Sequence, residues 1–382
     1  MATGVLLPEW KRFHPQFVQP EMLHLLNDGN KERYEKYVQS FGDVLKGRQH
    51  IGNIDGFLSG QNDPRKPGLS LSAIDLAKDT GALPLLSGLM KLDTGGRGKF
   101  HAMDESFLQL DRMYAKGFYL NLKDTVKEPL IELVKASQDS GMLVHHDLII
   151  LEPGAHITIL RIAEGSNGGM ISDNVEIYAG EGSRIDYITL NRSKKGSFYT
   201  AVQRARVAEG ATVNWYHVDL YESNTAMSLR SMLAGPRAES RMTGVVVAQG
   251  EAQKDMSYET FHTAPDTVTS VLVRAAVLDT AKVVYRALTY IASGSKRAKV
   301  EQAEKSIMLG EHARFDGIPS LWIDEDDVVA SHSASSGMAD DQVMFYLKSR
   351  GIPHQQAEKL ITDGFIASLL NTVPLDLLKG YY

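Results

Sequence analysis

Two rhythms of apolar residues divide the chain. Over residues 22–44, Leu23, Leu25, Leu26, Tyr34, Tyr37 and Val38 recur at mixed three- and four-residue spacings, as on a helix with one buried face. Residues 70–92 carry Ile74, Leu76, Leu83, Leu85, Leu86 and Leu89 and read as a second helix. Residues 52–68 between them are rich in Gly, Asn, Asp and Pro and read as a loop. From about Phe118 the rhythm shortens. Runs of branched and aromatic residues at 142–151, 156–162, 175–178, 185–190, 213–218, 242–247, 270–277 and 283–291 are separated by Gly or polar clusters, the pattern of short strands.

A repeat orders these strands. Glu152-Pro153-Gly154-Ala155-His156-Ile157 returns as Gly180-Glu181-Gly182-Ser183-Arg184-Ile185 and as Ala208-Glu209-Gly210-Ala211-Thr212-Val213. The glycines stand 28 residues apart both times. A fixed period of that length implies stacked units, and a unit of short strands without a helix fits a parallel β-helix. Glycine supplies positive φ at a corner, and the small residue after it lets turns stack. Hairpins of a β-sandwich would give a similar local pattern. Ala238, Ala252, Ala281 and Ala298 mark further corners at uneven spacing.

After Gly337 the pattern turns helical again. Asp340 suits an N-cap, Arg350-Gly351 suits a helix end, and Pro353 suits the start of a second helix. Ala357, Leu360, Ile361, Phe365, Leu369 and Leu370 form that helix's apolar face. The pair is expected either to cap the solenoid or to dock a partner. The reading is thus a mainly β chain in three domains: a helical one over 1–117, a β-helix core over 118–336 and a small helical one over 337–382.

Composition narrows the function. The 382 residues are 43% hydrophobic and 23% charged, ordinary for a globular protein. A net charge of −6 argues against nucleic-acid binding, which needs a basic face. No apolar run reaches the roughly 18 residues of a membrane span, and residues 1–10 do not resemble a signal peptide. There are no cysteines, which excludes disulfides, thiolate metal sites and thiolate catalysis and favours a reducing, cytoplasmic setting. Gly95-Gly96-Arg97-Gly98-Lys99-Phe100 lacks the first glycine and the Ser or Thr of a phosphate loop and reads as a turn.

The densest candidate chemistry lies in Asp326-Asp327-Val328-Val329-Ala330-Ser331-His332-Ser333-Ala334, followed by Gly337 and by Phe345-Tyr346-Leu347-Lys348-Ser349-Arg350-Gly351-Ile352. A strand delivers His332 into a small-residue turn, and imidazole is a borderline ligand suited to iron. Glu304 is a second candidate ligand, set against a solvated strand carboxylate. Residues 324–327 lack the spacing of a calcium loop and read as a solvated turn. His145 and His146 are adjacent, so on a strand they face opposite ways and cannot readily share a metal. His262 reads as turn packing.

Further pieces match in order: Ala238-Glu239-Ser240, Thr243-Gly244-Val245, Asp255, Phe261-His262, Thr267, Thr269, Ser270, Lys305-Ser306-Ile307-Met308-Leu309 and Pro319-Ser320-Leu321-Trp322-Ile323. With the closing segment, these make residues 118–365 resemble the SufB/SufD family of iron–sulfur cluster assembly proteins. The resemblance implies a right-handed parallel β-helix between two helical domains. It implies a non-catalytic scaffold subunit that pairs with a SufB-type paralogue, or with itself as a homodimer, and docks a SufC-type ATPase on its C-terminal helices. No tightly bound cofactor is implied, only a transient iron or iron–sulfur cluster at the SufB interface. The column of the SufB cysteine holds Glu304 here, and Ser333 follows His332 where SufB has an acidic residue. The chain is therefore more similar to SufD, which supplies a histidine. On this resemblance His332 is the iron or cluster ligand, with Glu304 as a second metal candidate. Phe345, Tyr346, Arg350 and Gly351 form the partner surface. The rival is a β-helix carbohydrate-active enzyme, disfavoured because it would need an exposed acid/base cluster and export.

Overall fold

The computed structural model describes residues 69–75, 116–127, 129–136 and 142–374. The helix read at 22–44, most of that read at 70–92, the loop at 52–68 and the glycine turn at 95–100 lie outside them. In chain order the strands are β1 (Leu69–Asp75), β2 (Lys116–Leu122), β3 (Leu130–Ala136), β4 (Met142–Leu151), β5 (His156–Gly165), β6 (Met170–Ala179), β7 (Arg184–Asn191), β8 (Phe198–Val207), β9 (Thr212–Asp219), β10 (Asn224–Leu233), β11 (Glu239–Ala248), β12 (Gln253–His262), β13 (Val268–Leu278), β14 (Lys282–Ile291), β15 (Ala298–Leu309), β16 (Arg314–Ile323) and β17 (Val328–Met338). Two helices follow, α1 (Asp341–Ser349) and α2 (His354–Leu370).

The chain climbs by alternating between two sheets. The even strands and β1 form one, in the order β1-β2-β4-β6-β8-β10-β12-β14-β16; the odd strands from β3 to β17 form the other. Every pairing is parallel except β1 with β2. This is a parallel β-solenoid of about seven turns, as the glycine period predicts. One expectation fails at its start: Leu69–Asp75 is a strand, where a helix is read from residue 70. Leu69, Leu71 and Ala73 alternate with Ser70 and Ser72, a period of two that outweighs the leucines farther on.

The corners show why the chain turns where it does. Gly154, Gly182 and Gly210 have φ of 75°, 62° and 62°. Each donates its N–H to a carbonyl of the next turn: Glu181 at 2.8 Å, Glu209 at 2.9 Å and Pro236 at 2.9 Å. A buried Ala155, Ser183 or Ala211 follows. Arg237, Asp266 and Arg297 occupy the same corner higher up, with φ of 59°, 60° and 58°. Each again donates across to the next turn, to Pro265, Lys296 and Asp327. Their side chains pair between turns, Arg237 with Glu209 and Arg297 with Asp266.

Inward-pointing residues such as Ile157, Ile159, Ile185, Val213, Met242 and Val271 fill the lumen. Fully burying each such side chain is worth about 1.5–3 kcal/mol. Outside, α2 packs on the sheet of odd strands, burying Ile366 and Leu369 against Val245, Val247 and Ala276. Arg274 of β13 donates to the Phe365 carbonyl at 2.6 Å. So α2 covers a flank and does not cap an end. Its buried face is Ala357, Thr362, Ile366 and Leu369, while Leu360 of the expected face is exposed. Among the described residues no helix is long and apolar enough to cross a membrane.

Candidate functional site

The solenoid ends in an open rung. β17 is the last strand of the odd sheet and β16 the last of the even sheet, so each presents an edge of backbone donors and acceptors. His332 lies on β17 opposite Gln302. Register partners in a parallel pair point to the same face. Gln302 is buried beside Val300 and Glu304 at alternate positions of β15, so His332 stands on the lumen side of the last rung. It is nevertheless exposed, because no described strand stacks above it.

Glu304 shares that face, one pair along the ladder, opposite Ala334. It is not the solvated carboxylate of the alternative reading, being only 5% exposed. Lys299, Glu301 and Lys305 occupy the opposite, exposed phase of β15, which turns Glu304 inward. Its Oε1 lies against Gly317 of β16, where a Cβ would collide with the carboxylate. Its Oε2 has no hydrogen-bond partner among the described residues. Burial without a compensating donor pushes the Glu304 pKa up to about 7. Beside it, Gln302 donates to Thr289 at 2.7 Å, and Ser306 bonds Ser336 at 2.8 Å.

The remaining candidates separate from this rung. Glu325 accepts the Gly294 N–H at 2.9 Å, and the Tyr290 hydroxyl donates to Asp324 at 2.9 Å, so residues 324–327 tie a turn. His262 is buried between Thr267 at 2.7 Å and Thr269 at 3.0 Å, and burial lowers its pKa to about 3. It is a packing residue, as read. His145 and His146 do face opposite ways: His145 meets Glu132 and Asp147, whereas His146 lies 3.2 Å from Glu176.

α1 follows the open rung at once. Asp340 accepts the Gln342 N–H at 2.8 Å as its N-cap. Gly351, at φ 84°, closes it with Gly351 N–H to Lys348 at 3.0 Å and Ile352 N–H to Leu347 at 3.2 Å, the paired bonds of a Schellman end. No residue of α1 is buried. Val343, Phe345 and Tyr346 stand out from it, Phe345 at 75% exposure, with Met338 and Leu360 also exposed. The Arg350 guanidinium lies 5.1 Å from the centre of the Tyr346 ring. Phe345 therefore does not pack the two helices together; Met344 and Leu347 are the half-buried positions.

The family model described as "SUF system FeS cluster assembly, SufBD core domain" matches residues 133–365. The chain belongs to the SufB/SufD family. Within that family it resembles SufD: the iron–sulfur cluster assembly protein SufD of Bacillus subtilis is 27% identical over 259 residues, covering 66% of this chain. An iron–sulfur cluster assembly SufBD family protein of Staphylococcus saprophyticus is 22% identical over 281 residues, 72% of this chain. Another from Mycobacterium tuberculosis is 24% identical over 234 residues, 59% of this chain. These matches span 59%, 60% and 58% of the relatives' own lengths. The SufBD match takes in the solenoid from β3 to β17, all of α1 and most of α2.

What the sequence reading missed is a buried polar cluster at the other end, built from Glu132, His145, Asp147 and Arg161. The signal was available: His145 and Asp147 share the phase of the inward Leu143 and Ile149.

Proposed function

We propose that the chain acts in iron–sulfur cluster assembly as a SufD-type, non-catalytic scaffold subunit. Its open rung pairs with a SufB-type paralogue, and α1 docks a SufC-type ATPase. The observation that carries this reading is His332, an exposed imidazole on the lumen side of β17, whose outer edge pairs with no other described strand. An edge strand is a ready template for pairing, so a partner joined there would enclose His332 in the shared lumen. Glu304 is the second donor, reached by the same enclosure. Iron or a nascent cluster is cargo at that junction, and the absence of cysteine leaves thiolate ligands to the partner.

The exposed Phe345 and Tyr346, with Arg350 stacked on Tyr346, supply the aromatic and guanidinium anchors typical of interface cores. The family match speaks against the carbohydrate-enzyme alternative.

The test is His332→Ala in a complex co-expressed with SufB- and SufC-type proteins. Co-purification and unfolding midpoint should stay unchanged, while anaerobic cluster reconstitution falls about tenfold or more, as when a metal ligand is lost. Wild-type reconstitution would overturn the role of His332. Arg350→Glu should instead weaken recovery of the ATPase and leave the SufB-type pairing intact; equal recovery would remove α1 from the interface.

A further inference from the structure

We propose that Glu132, His145 and Asp147 hold a divalent first-row transition metal ion inside the first turns of the solenoid. The site lies on β3 and β4, at the far end of the odd sheet from β17, so it does not rest on the reading of His332. All three side chains face the lumen and are at least 95% buried. His145 Nε2 lies 2.7 Å from Asp147 Oδ1 and 3.0 Å from Glu132 Oε1. One ligand atom from each residue falls within 4.8 Å of the others.

The second oxygen of each carboxylate faces a guanidinium. Arg161 of β5 binds Asp147 Oδ2 and, at 2.9 Å, Glu132 Oε2. Its other arm reaches Asp173 Oδ1 at 2.5 Å, and the Tyr199 hydroxyl donates to Asp173 Oδ2 at 2.9 Å. Both carboxylates are thus oriented from behind, each presenting one oxygen toward His145. Outer partners of that kind fix metal ligands in place.

The local charge favours a cation. Three carboxylates share one guanidinium, leaving excess negative charge in a low-dielectric lumen. His145 Nε2 stands between Asp147 Oδ1 and Glu132 Oε1, so a cation there would be shared by the ring and both carboxylates. One imidazole with two carboxylates suits Mn(II), Fe(II) or Zn(II). Such an ion would clamp β3 to β4 where the solenoid begins.

The test uses the full chain, stripped with a chelator and titrated separately with Mn(II) and Zn(II), with bound metal measured after gel filtration. One equivalent should bind to the wild type and to His332→Ala. Asp147→Asn and His145→Gln should each weaken binding at least about tenfold. Metal should also raise the wild-type melting temperature, as any ligand of the folded state does. X-ray absorption at the zinc edge of the wild type and of His332→Ala should show one imidazole in an oxygen-rich shell, which keeps the proposal testable if the ligand variants do not fold. Sub-stoichiometric wild-type binding, a shell without imidazole, or binding lost in His332→Ala and kept in Asp147→Asn would overturn it.

Discussion

The two ends of the solenoid differ in how their buried carboxylates are balanced. Near β3 to β6, the carboxylates of Glu132, Asp147 and Asp173 converge on Arg161, and each has an ionic partner. At β15 to β17, Glu304 Oε2 and Gln302 Oε1 are buried without a hydrogen-bond partner among the described residues, and His332 faces the same lumen with no described strand above it. Removing one side of a buried ion pair is costly, whereas a buried carboxylate with no counter-charge shifts its pKa instead. The contrast gives Arg161 a part in holding its end together and gives Glu304 a pH-dependent one.

The strongest way to break that comparison is to remove Arg161. Arg161→Met preserves much of the volume but leaves three carboxylates in the lumen without their guanidinium. Breaking a buried ion pair from one side costs about 3–5 kcal/mol. The expected outcome is a large drop in the urea midpoint, or failure to accumulate folded chain. A loss under about 1 kcal/mol would show that water reaches the cluster and that this end is as open as the other.

The opposite end should answer to pH instead. In the folded chain Glu304 keeps its proton up to about pH 7, whereas its model value is 4.5. Between those values the folded state binds more protons than the unfolded one, so this group's contribution is present below about 4.5 and lost as pH rises through 7. Glu304→Gln mimics the protonated carboxyl at every pH. The variant should match the wild type near pH 4.5 and gain on it up to pH 7 and above. The gain is expected on the order of 1–2 kcal/mol, reduced by solvent at the open rung. Urea unfolding at pH 5 and pH 8 measures it; a difference that does not change with pH would mean that Glu304 is solvated after all.

How far the sequence reveals this contrast depends on which face a residue takes. The corners were legible because glycine at positive φ repeats at Gly154, Gly182 and Gly210. The repeat fades where Arg237, Asp266 and Arg297 adopt the same conformation with side chains attached. Strands β8, β10 and β12 escape the branched-residue rule because their outward face buries Arg204, Arg230 and Glu259 instead of aliphatics. On α2 the choice of Leu360 over Ile366 follows from reading apolarity without knowing which flank the helix lies on. The Arg161 cluster was hidden for a different reason: residues 132, 145, 147 and 161 meet only once the turns are stacked. His332 drew notice through an ordered motif, but its position on the lumen side needed the β15–β17 register.

The smallest expected effect tests whether the corners impose the same rule at both ends. Gly210 and Gly337 both have open space where a Cβ would go, so substituting alanine at either adds no clash. They differ in backbone: Gly210 sits at φ 62° in a corner, whereas Gly337 lies within β17 and is not in the left-handed region. Alanine at Gly210 should therefore destabilise by about 1–2 kcal/mol, the cost of a left-handed conformation for a residue with a side chain. Alanine at Gly337 should be neutral within about 0.5 kcal/mol. Arg237 supplies the converse, since it already bears that conformation. Arg237→Gly should leave the urea midpoint unchanged or raise it slightly, even though it removes the exposed pair with Glu209, because such pairs contribute little. A marked loss in Arg237→Gly would mean that the inter-turn ion pairs, and not the backbone geometry, hold the upper corners.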